Sequence, residues 1–321
     1  MSDAMTPRER LACAMRGDTP DRVPVSVYQH STVHQRGVEP FVRWTLDFHE
    51  RFAPDYVKVM YDEMYDAPVN YQFASDAGVW QQLEDLDPHG GGFGRYLESL
   101  KRIRAAVHRD TPVLATVFTP LHIGVRLAWR RLIDDCRHER ERTLRGLATI
   151  TRNTVALVKA AVDEAGIDGF FLGGYGCESG WLSEAEYQEI AAPLDREVLA
   201  AMRATPFVIA HAHGGAQAFL DLYARYDCDA LSWEDHHGGW TVAQAREQAT
   251  TKCLVGGVDH VAVQRAGAAL ARQQALQAIA ATAGRGFVLS PGCTFLPGTP
   301  DATMHALKDA AVAAATPPRS R

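Results

Sequence analysis

Short apolar runs rich in β-branched and aromatic residues recur along the chain, separated by longer amphipathic stretches. The runs at Val23–Tyr28, Tyr56–Tyr61, Val113–Phe118, Gly169–Gly173, Phe207–His213, Ala230–Glu234, Cys253–Val258 and Phe287–Ser290 predict eight strands. They are nearly continuous in apolar residues rather than alternating, as suits strands covered on both faces or packed inside a barrel. Helical patterns fill the gaps at Tyr96–His108, Arg142–Ala165, Ser183–Arg203, Thr241–Thr250 and Val261–Ala283. Ser183 ahead of Glu184 and Glu186, and Thr241, read as helix N-caps. Gly166 and Gly284 stand where helices should stop. The chain should open with a helix over Thr6–Arg16, with Pro7 in its first turn, and end with an Ala-rich helix over Ala302–Ala315 and a frayed tail, Thr316–Arg321.

Eight β/α alternations without a break in composition predict one (β/α)8 TIM barrel spanning residues 1–321 as a single domain. A doubly wound sheet is the competing architecture, but no G-x-G-x-x-G follows the first strand.

A barrel of this kind does chemistry at the C-terminal ends of its strands, and polar residues gather at those ends. The second run closes in Tyr61-Asp62-Glu63, the fifth in His211-Ala212-His213 and the sixth in Glu234-Asp235-His236-His237. The seventh closes in Asp259-His260 and the eighth in Ser290-Pro291-Gly292-Cys293. His211 and His213, two apart on a strand, point to one face and suit a single cation. The same spacing also describes two hydrogen-bonded rim histidines.

Composition narrows the partners. Lys+Arg number 33 against 39 Asp+Glu, a net charge of −6, which argues against a dedicated nucleic-acid or anionic-membrane binder. No apolar run approaches the ~18 residues of a membrane span, and the N-terminus lacks a signal peptide's apolar core. Six scattered cysteines with no C-x-x-C pair read as reduced thiols of a cytoplasmic protein, mostly buried.

Longer motifs carry a family likeness. Met5-Thr6-Pro7-Arg8-Glu9-Arg10, Gly17-Asp18-Thr19-Pro20-Asp21-Arg22-Val23-Pro24-Val25, Tyr56-Val57-Lys58-Val59-Met60-Tyr61-Asp62, Gly256-Gly257-Val258-Asp259 and Ser290-Pro291-Gly292-Cys293 stand in order. Together they resemble the uroporphyrinogen decarboxylase superfamily, and within it the cobalamin- and coenzyme M-type methyltransferase branch. The resemblance implies a (β/α)8 barrel with a zinc site in which His211 and Cys293 match two of the branch's three ligands. The third position holds His213 where that branch has Cys. A His/His/Cys trio remains competent for Zn2+, but it carries one negative charge fewer, which shifts the metal toward Lewis-acid chemistry.

The expected activity is zinc-dependent methyl or alkyl transfer to a thiol or similar small acceptor. The donor would be methylcobalamin on a corrinoid protein, or a small molecule. A metal-dependent hydrolase or lyase, or a divergent decarboxylase, is the alternative. Porphyrinogen decarboxylation itself fits poorly, because the Arg-rich stretch that grips the tetrapyrrole is here Tyr28-Gln29-His30-Ser31-Thr32-Val33-His34. Asp62 falls where the decarboxylases have their essential aspartate. It reads as a general acid/base, a neighbour of the metal or a structural acceptor. Glu178, in a glycine-rich loop, reads as an exchangeable fourth ligand or a solvated carboxylate. Tyr28 and Tyr61 are expected to wall the pocket, and His236 and Asp235 to meet substrate or simply to line the rim. Cys177 reads as a buried thiol, and His30, His34 and His122 as structural. A homodimer is compatible with the chain.

Overall fold

In the computed structural model, which describes residues 5–62, 65–66, 77–248 and 252–315, seven parallel strands form one curled sheet in chain order. They are β1 (Val57–Val59), β2 (Val113–Phe118), β3 (Gly169–Gly174), β4 (Phe207–Ala212), β5 (Ala230–Trp233), β6 (Cys253–Val258) and β7 (Phe287–Pro291). Helices such as Gly91–Ala106, Arg140–Ala165 and Ala262–Thr282 connect them. No helix among the described residues is long and apolar enough to cross a membrane.

Strand parity sorts the buried residues into two cores. Val113, Ala115, Val117, Phe170, Leu172, Val208 and Ala210 pack with the helices. Leu114, Phe171, Phe207, Ile209, Val255 and Val288 form a separate inner cluster, reached by Leu11 and Ala14 of the first helix, Pro7–Met15. Alternate side chains of a strand point to opposite faces, so the concave face carries the inner set. Further along the same strands that face turns polar, with Lys58, Thr116, His211, Ser232 and Ser290.

One of the eight expected strands, the first, is corrected. Val23–Tyr28 is extended but makes only an isolated bridge, Val25 to Leu289, with another just beyond it, Gln29 to Phe295. Pro24 has no N–H to donate, and the Val25 N–H goes to the Asp55 carboxylate at 2.7 Å instead of to a neighbouring strand. The segment nonetheless lies between the sheet's two ends. Leu289 donates to the Pro24 carbonyl, Ser26 donates to that of Leu289, and Asp55 donates to that of Val25. The 1%-exposed Asp55 carboxylate also accepts from Arg10 and Arg22, each at 2.7 Å.

Both expected caps form: Ser183 with Glu186, and Thr241 with Gln244, bond reciprocally, and Thr6 makes a further capping box with Glu9. The expected helix Ser183–Arg203 is two helices, Glu184–Ile190 and Ala192–Met202, with Pro193 in the first turn of the second. The helix after β6 breaks at Gly267, whose φ is 71°. Glu63, the last two residues of Thr241–Thr250 and the tail Thr316–Arg321 lie outside the described residues.

Candidate active site

At the C-terminal end of the strands the polar part of the concave face opens into a cavity of about 300 Å3. Lys58, Asp62, His122, His211, His213 and Cys293 reach it, between walls of Phe118, Phe171 and Tyr175.

His213 and Cys293, which line it, converge with Glu234. One potential ligand atom from each lies within 4.8 Å of the others. His213 follows the last residue of β4, Glu234 the last of β5, and Cys293 comes two residues after β7. His213 Nδ1 is buried without a hydrogen-bond partner and lies 3.4 Å from Glu234 Oε2. Burial raises the Cys293 thiol above its usual range, and the nearby Lys58 charge opposes that rise.

His211 is not part of this trio, although it lines the same cavity. Its Nδ1 shares a 3.0 Å hydrogen bond with Ser232 Oγ, and its ring lies against Phe171. Its Nε2 is buried with no hydrogen-bond partner. Burial keeps the ring neutral, well below its usual pKa. Two imidazole nitrogens without partners and a thiol on the cavity wall, with a carboxylate beside them, fit a borderline divalent cation such as zinc.

Glu234 as a member of the group was missed in the sequence, where the His-x-His pair is the stronger signal. Glu178 is engaged elsewhere. It accepts from Trp181 Nε1 at 2.9 Å and sits in a bridge to Ala218.

Asp62 lies at the mouth, its Oδ2 3.0 Å from His30 Nδ1. Burial pushes its carboxyl up, but the His30 hydrogen bond and the charges of His30 and Arg126 outweigh that, and the net shift is downward. His122 donates from Nδ1 to the Gly173 carbonyl at 3.1 Å, and burial together with Arg126 brings its pKa down to about 3.

The two tyrosines are placed differently from expectation. Tyr61, of the same parity as Val57 and Val59, turns into the helix-side core against Phe41 and Tyr96. Tyr28 is 2% exposed, and its hydroxyl donates to the Pro291 carbonyl at 3.3 Å. Neither lines the cavity. Asp235 and His236 face one another at 3.5 Å away from it, with His236 Nε2 also 3.2 Å from the Gly257 carbonyl.

Lys58 was missed. Its ammonium lies over the rings of Tyr28 at 3.9 Å and Phe171 at 3.5 Å. Burial brings the amine down to about 7, with Cys293 and Asp62 opposing. Counting by two from Asp62 through Met60 would have found it.

Comparison with known proteins follows the same lines. The family model described as uroporphyrinogen decarboxylase (URO-D) matches residues 6–313. The fold is similar to that of a methyltransferase from Methanosarcina mazei, with 20% identity, a TM-score of 0.83, and coverage of 96% of this chain and 99% of that one. It is also similar to a B12-independent methionine synthase from a Shewanella species, with 13% identity, a TM-score of 0.51, and coverage of 68% of this chain and 66% of the other. No curated protein matches the sequence.

Proposed function

The chain belongs to the uroporphyrinogen decarboxylase family, and on that premise we propose that it is a zinc-dependent methyl or alkyl transferase acting on a small thiol or similar acceptor. The observation that carries this reading is the convergence of Glu234 with His213 and Cys293, the latter two lining the cavity. These three would hold the metal, with His211 Nε2 as a further nitrogen on the same wall. A thiolate and a carboxylate beside neutral imidazole offset a divalent cation to a formal charge of zero. One histidine with two cysteines gives the same sum, so Glu234 supplies the charge that His213 lacks.

Zinc in such a site keeps an acceptor thiol ionised at neutral pH, and so available as a nucleophile. The protein's own groups do the rest. Ser232 orients His211 through Nδ1. Phe118, Phe171 and Tyr175 exclude water and leave room for a small acceptor. The Asp62–His30 pair stands at the mouth to hold or pass a proton. The donor in this reading is methylcobalamin carried by a corrinoid protein, or a small molecule.

Protein purified without added metal should retain about one zinc per chain. Cys293→Ala and Glu234→Gln should each lower that content without loss of helical circular dichroism. A candidate thiol should add a sulfur ligand in zinc-edge absorption spectra. Absence of zinc, with Cys293→Ala indistinguishable from the parent, overturns the proposal.

A second reading, lyase or decarboxylase chemistry on a small carboxylate, is favoured by Lys58. The Lys58 amine lines the cavity and, titrating at about 7, carries below that pH a positive charge that suits an anionic substrate. Exchange of oxygen ligands alone in the same spectra would favour it.

A further inference from the structure

Glu234 faces two groups at once. Its Oε2 lies 3.4 Å from His213 Nδ1, and its Oε1 lies 3.6 Å from His260 Nε2. His260 follows Asp259 at the end of β6 and is 7% exposed, and its Nδ1 is buried with no hydrogen-bond partner. The His237 ring centroid is 5.1 Å from that of His260, and His237 Nε2 is 3.1 Å from Asp259 Oδ1. Asp259 is held in place, because the same Oδ1 accepts the Val261 and Ala262 N–H groups at 2.9 and 3.0 Å. One ligand atom from each of His237, Asp259 and His260 lies within 4.8 Å of the others.

We propose that His237, Asp259 and His260 form a second divalent-cation site, joined to the first through the Glu234 carboxylate. Two imidazoles and a carboxylate, with no sulfur, suit a first-row transition ion such as Zn2+, Co2+ or Fe2+. His237 is about one-third exposed, at 34% of its side chain, so water or a substrate oxygen can complete the shell. The site rests on this geometry and not on the methyl-transfer reading. Without a thiolate it should bind more weakly than the cysteine-containing group, and so fill only when metal is added.

Cobalt distinguishes the two sites, because a thiolate ligand adds an intense sulfur-to-cobalt charge-transfer band and a nitrogen/oxygen set gives weak ligand-field bands alone. The full chain, stripped with chelator, is titrated with Co2+ and followed by absorption and elemental analysis. The parent should bind about two equivalents, one with the charge-transfer band and one without. Cys293→Ser should lose the band and keep the weaker bands. His237→Ala, at a partly exposed position that should not disturb folding, and His260→Gln should keep the band and bind one equivalent fewer. Unchanged stoichiometry in both histidine variants overturns the second site, as does a parent that binds a single equivalent lost in Cys293→Ser. A parent without the band that still binds cobalt through His237 overturns the first site and leaves the second standing.

Discussion

The Lys58 ammonium lies 3.5 Å from the centroid of the Phe171 ring, on the floor of a cavity that otherwise gathers metal-competent groups. Burial there favours the neutral amine, which titrates at about 7 rather than 10.5. Below about pH 7 the amine is charged in both folded and unfolded chains, and the full burial penalty is present. Above that pH the folded protein releases a proton that the unfolded chain keeps, so stability rises with pH. The gap corresponds to on the order of 5 kcal/mol. Lys58→Met should therefore stabilise metal-free protein by a few kcal/mol near pH 6, and the gain should fade toward pH 10. Urea unfolding at several pH values measures it, and a gain independent of pH refutes the burial account.

Asp62 is held ionised below the usual carboxylate range despite its burial. Its contribution to stability is present above the unfolded value near 4 and is lost as pH falls through the lower folded value. Asp62→Asn should lower kcat by about 10²–10³ with zinc content unchanged, because Asp62 is outside the ligand trio. Full turnover in this variant would remove Asp62 from the chemistry.

Asp55 joins the first helix to the extended segment between β1 and β7, through Arg10, Arg22 and the Val25 N–H. Asp55→Asn leaves two guanidinium groups short of a partner and should cost about 3–5 kcal/mol. Denaturant midpoints measure this, and loss of less than about 1 kcal/mol would mean that the ion pairs are solvent-screened.

Gly169 allows β3 and β4 to approach closely. A Cβ there would sit 2.2 Å from the Phe207 carbonyl oxygen. Gly169→Ala should destabilise by at least about 1–3 kcal/mol, seen as a lower melting temperature. Gly166→Ala has open space around its Cβ but a φ of 61°, so its cost should come from backbone strain alone.

Hydrophobic runs marked the seven strands well, because both faces of each are buried and the signal is continuous. Val23–Tyr28 carried the same signal but lacks a regular ladder, since Pro24 and the side chain of Asp55 take over its hydrogen bonding. His213 and Cys293 were legible as metal-competent residues. The His-x-His spacing did not reveal that β4 ends between the two histidines, at Ala212, with His211 held by Ser232. Glu234 could not be singled out among neighbouring acids without knowing which strand end faces Cys293. Tyr61 was misplaced for a simpler reason: the end of a strand still alternates, and its parity sends it to the helices.

Among the described residues Cys293 is the only thiol lining the cavity, and the other five cysteines are buried. Where two thiolates hold a metal, an oxidant can join them as a disulfide and expel the ion. With imidazole at position 213 and carboxylate at position 234, no second thiol among the described residues lines the pocket to close such a bond, and the thioether of Met60 cannot form one. Oxidation of Cys293 would stop first at a sulfenic acid, which an external thiol can reverse. A donor set of this kind tolerates air better than one built on a pair of cysteines.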